Sequence, residues 1–116
     1  MQIKQTIEHN TAQLIFRGDL LGEPDGTTVR NKIHDLAGEN IKHVVIDFGA
    51  VQHINSAGLG ALVAALTTMR KSGGDIRLAR VGHNVQNILM ITRLVRIFDT
   101  YDSVEEAVKD FRIPAS

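Results

Sequence analysis

Ser56 stands alone between an apolar run and a pair of spaced glycines in "HINSAGLG", residues 53–60, and its hydroxyl is the most chemically suggestive group in the chain. Four kinds of chemistry fit a serine in that setting. As a helix N-cap, Asn55 or Ser56 would accept an amide hydrogen and contribute about 1 kcal/mol, and spacing alone favours this reading. As a nucleophile it would need the G-x-S-x-G elbow and a base within reach, but Ile54 occupies the place of the first glycine, and His53 is a neighbour only in sequence. As part of a phosphate cradle, Gly58-x-Gly60 supplies half of a dinucleotide fingerprint, with Val63 where the third glycine belongs. As a modification site, a helix start with free amides and a positive dipole end tolerates a phosphoserine, whose charge is about −1.5 to −2.

Other groups offer less. His9, His34, His43, His53 and His83 form no pair at the spacing of a local zinc set, so neither a metal nor another cofactor is expected. Glu105 and Glu106 read as first-turn helix acids rather than a catalytic pair. Arg70, Lys71, Arg77, Arg80, Arg93 and Arg96 read as a solvated face. Thirteen basic and thirteen acidic residues cancel, which removes the general attraction to phosphate backbones and anionic lipids; neither nucleic acid nor membrane is an expected partner. Cysteine is absent, so a disulfide framework and a thiolate nucleophile are both excluded. The N-terminus lacks the apolar core of a signal peptide, and the longest uncharged stretch, Asn55 to Met69, is short of a membrane span. A cytoplasmic location is the expectation.

The elements that must position Ser56 follow from periodicity. With 116 residues, 43% hydrophobic and 22% charged, the chain is expected to build one core, and residues 1–116 are read as one domain. "IKQTIEH" and "TAQLIFRG" alternate with period two and predict a hairpin turning at Asn10. After the turn-rich "GEPDGTT", Val29, Ile33 and Leu36 mark a helix closed by Gly38. "IKHVVIDF" is apolar almost throughout, as a strand covered on both faces would be. From Ser56 to Ser72, Leu59, Leu62, Val63, Leu66 and Met69 share one helical face, with Gly73-Gly74 beyond. "DIRLAR" reads as a strand, "HNVQNILMITRL" as a helix with Val85, Ile88 and Leu89 inward, and "RIFDTY" as a strand. Ser103-x-x-Glu106 then has the form of a capping box opening a terminal helix.

The order is ββαβαβαβα, an α/β fold whose sheet is mixed but mostly parallel and flanked by helices. In such sheets sites gather at the carboxyl ends of the strands, and Ser56 falls there. The outward positions of its helix, Gly60, Ala61, Ala64, Ala65, Thr67 and Thr68, are small and uncharged. Two readings remain open: an approach surface for a partner, or a helix face covered by its own fold.

"INSAGLG", after an apolar strand and before an uncharged helix closed by Gly-Gly, resembles the D-S-[ST]-G-L-G signature of the STAS domain of bacterial anti-sigma factor antagonists. The similarity runs from "TAQLIFRGDL" to "DSVEEAVKDF", through "SGGDIRLA" and "ILMITRLVRIFDTYDSVEEAV". It implies a non-enzymatic partner-switching regulator. A serine kinase or anti-sigma-type protein of the histidine-kinase-like ATPase fold would be bound while Ser56 is unmodified and released when it is phosphorylated. A metal-dependent serine phosphatase would reverse the mark. By the same resemblance the partner surface would comprise Asp19, Asn55, Ala57, Gly58, Leu59 and Gly60. Asn55 stands where the family commonly has aspartate, Ala57 where it has a second hydroxyl, and Leu21 replaces an acid in "GDLLGEPDGTT". The alternative is a constitutive STAS interaction domain in which Ser56 only caps its helix.

Overall fold

The computed structural model describes residues 1–112. Strands β1 (Gln2–Glu8), β2 (Thr11–Arg17), β3 (His43–Ala50), β4 (Asp75–Ala79) and β5 (Thr100–Tyr101) form one sheet in the order β1-β2-β3-β4-β5. The β1–β2 pair is antiparallel and the other three pairings are parallel. Helices α1 (Asp25–Gly38), α2 (Ser56–Lys71), α3 (His83–Ile91) and α4 (Val104–Arg112) fill the connections and the C-terminal end of the described chain.

Alternation decides which face each helix covers. Ala12, Leu14 and Phe16 of β2, Val44, Ile46 and Phe48 of β3, and Ile76 and Leu78 of β4 point to one side. There they join Val29, Ile33 and Leu36 of α1, Leu62, Leu66 and Met69 of α2, and Val85 and Leu89 of α3 in the main core. The opposite face carries Val45 and Ala79, closed by Ala107 of α4 with Val104, Val108 and Phe111 packed around them. Strand β3 is therefore buried on both faces, as its unbroken hydrophobicity predicts.

The hairpin turns through His9 and Asn10, both with positive φ (51° and 63°). Helix α1 begins inside the stretch that reads as turn formers. Glu23 explains this: its carboxylate accepts a hydrogen bond from Thr27 N at 3.1 Å and pairs with Arg30 at 2.8 Å, which steadies a first turn of weak helix formers. Helix α3 stops at Ile91, short of the expected Leu94, because Arg93 adopts left-handed backbone (φ 63°) and Leu94–Arg96 coil into a 3-10 turn. That turn drops Phe98 into the core, so the last strand keeps only Thr100 and Tyr101 of the expected "RIFDTY". The serine of the capping box does cap α4, accepting from Glu106 N at 3.1 Å.

On α2 the small residues divide. Ala61 and Ala65 are buried, with Ala61 beside Gly26 of α1, so for them the covering comes from the chain itself. Gly60 and Thr67 are exposed, while Ala64 and Thr68 are half-buried.

Candidate functional site: the platform at the start of α2

Two loops leave neighbouring parallel strands at their carboxyl ends, residues 18–24 after β2 and residues 51–55 after β3, and they are laced together residue by residue. Gly18 N donates to Ala50 O at 3.1 Å, Leu20 N to His53 O at 3.1 Å, and Asn55 N to Leu20 O at 3.3 Å. Leu20 and Ile54 form an isolated parallel bridge and bury their side chains beneath it. Asp19 fastens the outer edge: one carboxylate oxygen accepts from Gln52 N and His53 N at 3.2 and 3.1 Å, and the other lies 3.3 Å from His53 Nδ1. The His53 amide bond, first among several contacts, holds the Asp19 carboxyl below the ordinary range, so it is ionised at neutral pH.

Asn55 turns this pair of loops into a helix. Its extended backbone (φ −107°, ψ −177°) is that of an N-cap, and Oδ1 accepts from Gly58 N at 2.9 Å. Its Nδ2 donates to Leu21 O at 2.8 Å. One side chain thus satisfies an orphan helix amide and ties the first loop to the second. The reading that Ser56 is the cap is corrected: Asn55 holds that position, and Ser56 is the first residue inside the helix. Ser56 is exposed, and among the described residues its hydroxyl has no hydrogen-bond partner.

Gly58 shows why a glycine is needed in this turn. It packs so closely on the first loop that a Cβ would stand 2.3 Å from Leu20 O. Gly60 has open space around it, with nothing within 4 Å of a Cβ position.

Of the residues expected to meet a partner, Asn55, Ala57 and Gly60 are exposed and Asp19 is half-exposed. Gly58 and Leu59 are buried: Gly58 lets the loops close, and Leu59 anchors α2 in the core. Sequence reasoning missed Leu21, a large apolar side chain left 54% exposed on the first loop beside the Asn55 anchor. Its signal was there in "GDLLGE", where two adjacent leucines sit among turn formers and only one can face inward.

The geometry does not suit a serine nucleophile. The His53 ring pairs with Asp19, not with Ser56, so no base stands in hydrogen-bond reach. A groove of about 600 Å³ lies on the α4 side of the sheet, lined by Ile15, Asp47, Val104 and Val108 among others, and Ser56 takes no part in it. No cluster of His, Asp or Glu able to hold a metal occurs among the described residues. Among the described residues no helix is long and apolar enough to cross a membrane. What the platform offers is a rigid, solvent-facing surface with one free hydroxyl.

The family model for the STAS domain matches residues 4–107, and the chain belongs to that family. It is 26% identical over 117 residues to the anti-sigma F factor antagonist of Paenibacillus polymyxa, covering 97% of this chain and 98% of the relative. Among solved structures, a Thermotoga maritima protein described as a candidate anti-sigma factor antagonist superposes with a TM-score of 0.88 at 23% identity, over 96% of this chain and 95% of its own. The Bacillus cell-fate determinant SpoIIAA in its phosphorylated form gives 0.75 at 15% identity, over 96% of this chain and all (100%) of its own. These likenesses establish the STAS fold, and the relatives are named for antagonism of another protein rather than for a reaction.

Proposed function

We propose that this protein is an anti-sigma factor antagonist whose partner binding is switched by phosphorylation of Ser56. The observation that carries the reading is the division of labour at the start of α2. Asn55 performs the cap, so the Ser56 hydroxyl is exposed and owes nothing to the fold. A phosphoryl group there changes surface charge without breaking a structural bond. The amides at the start of the helix and the positive end of its dipole stabilise the added charge. SpoIIAA, which shares the fold, is itself described in a phosphorylated form.

The unmodified platform docks on a serine kinase or anti-sigma factor of the histidine-kinase-like ATPase fold. Leu21, Ala57 and Gly60 supply close apolar contact, and Asn55 and Asp19 supply its polar edge. A phosphate in that contact must be desolvated without a counter-charge. A hundredfold loss of affinity needs only about 2.8 kcal/mol, so one modification suffices as a switch. A metal-dependent serine phosphatase resets it, and the circuit operates in the bacterial cytoplasm.

The test is binding of the cognate kinase by Ser56→Ala and Ser56→Asp, together with mass spectrometry of the protein from cells with and without that kinase. Ser56→Ala should bind constitutively and Ser56→Asp weakly. Equal binding by both variants, with no phosphate on Ser56 under any condition, would leave a constitutive interaction domain as the better description.

A further inference from the structure

A second surface lies at the far end of α2 from Ser56. The corner where α3 passes into the 3-10 turn leaves Met90, Ile91 and Val95 exposed at 58%, 82% and 38%. Arg70 in the last turn of α2 donates to Ile97 O at 2.7 Å, which fixes this corner beside that helix end. From Ser56 to Arg70 the helix advances about 20 Å, so a partner seated on the serine platform leaves the corner free.

The corner's charge is one-sided. Arg93 and Arg96 flank the apolar group, and Lys71 ends the adjacent helix; all are exposed, and among the described residues none forms an ion pair. Asp75 is already engaged by Arg70, and Asp99, three residues beyond Arg96, is the nearest free acid in sequence. Nothing in the packing demands this arrangement. Leu94, Ile97 and Phe98 anchor the turn to the core, and the outward positions are free to be polar.

We infer that this corner docks an acidic amphipathic helix of another protein, its apolar stripe on Met90, Ile91 and Val95 and its carboxylates on Arg93 and Arg96. Large exposed apolar side chains grouped within residues 90–95 mark an interaction surface, and an apolar helix stripe matches anchors spaced along one corner. A second copy of the chain is a poor occupant, because two-fold pairing would bring the basic patch of one copy against the same basic patch of the other. An anionic lipid surface is also a poor one: Lys71, Arg93 and Arg96 fall short of the roughly four to eight basic residues that hold a protein there.

The test uses a fluorescent peptide of glutamate and leucine, with leucines at helical spacing, followed by anisotropy and by amide chemical shifts of the full chain. Binding should map to Met90–Arg96, with a dissociation constant on the order of 100 μM, and should weaken as salt is raised. Ile91→Ser, Arg96→Glu and Arg93→Asn should each weaken it by about tenfold or more, asparagine being chosen because it tolerates the left-handed backbone there. Ser56→Asp should leave it unchanged, which separates this surface from the switch. Several results would overturn the inference: no binding at millimolar peptide, equal binding of a sequence-scrambled peptide, indifference to the three substitutions, or a stronger response of the same residues to vesicles containing phosphatidylglycerol.

Discussion

Replacing Gly58 by alanine sets two effects against each other. In an open helical position the change favours folding by about 1 kcal/mol, because glycine has the greater freedom to lose. At Gly58 the new methyl would stand 2.3 Å from the Leu20 carbonyl oxygen and 3.0 Å from Ile54 Cγ1 and Leu20 Cγ. A carbon and an oxygen settle at about 3.3 Å or more, so the first loop must retreat by about 1 Å. The Leu20 carbonyl also accepts Asn55 N, and stretching that bond forfeits about 1 kcal/mol on top of an overpacking cost of about 1–3 kcal/mol. The steric terms win, leaving a net loss of about 1–3 kcal/mol and a melting temperature lower by about 4–12 °C. Gly60, with nothing within 4 Å, is the internal control, and its alanine variant should gain about 0.5–1 kcal/mol. Thermal and urea unfolding followed by circular dichroism measure both. If Gly58→Ala proves as stable as the parent, or if the two substitutions share a sign, the close packing of α2 on the first loop is wrong.

Two further outcomes follow from the same geometry. Asn55→Ala removes the cap and the tie to Leu21 together, and should cost about 1–2 kcal/mol while amide exchange rises selectively at Leu21, Gly22 and Gly58; uniform exchange across the chain would contradict it. His43 stacks on Phe111 at a centroid distance of 4.4 Å, and burial first, then the Arg77 charge, press its pKa below the ordinary 6.5. The neutral ring is therefore the one that suits the fold. Its contribution is complete above pH 6.5 and is lost as acid titrates the ring through its lowered value, loosening the end of α4. A proton NMR titration should place His43 below 6.5, and His43→Phe should flatten the acid side of the stability curve; a midpoint above 6.5 would reverse the sign.

The fold was largely legible because its strongest signals are local. Period-two alternation in β2, the doubly buried run of β3 and the long apolar face of α2 each specify an element and its covered side without outside help. The failures share the opposite character. Helix α1 starts early because Glu23 reaches across to Thr27 and Arg30, and the last strand is short because Phe98 is claimed by the core. Neither fact has a period. At the site, Ser56 could be placed at a helix start, but whether it or Asn55 held the cap depended on Leu21, 34 residues upstream of Asn55. The resemblance groups Gly58 with the contact residues, and a motif cannot distinguish a glycine that admits a partner from one that admits the chain's own backbone.

The lacing of residues 18–22 to residues 50–55 has a consequence for when the serine becomes recognisable. Each half of the stitching takes its hydrogen bonds from the other, and both follow on from paired strands β2 and β3. A newly made or damaged chain carries the same seven letters around Ser56 but not their relief. A protein that recognises the relief rather than the letters would therefore engage only finished molecules.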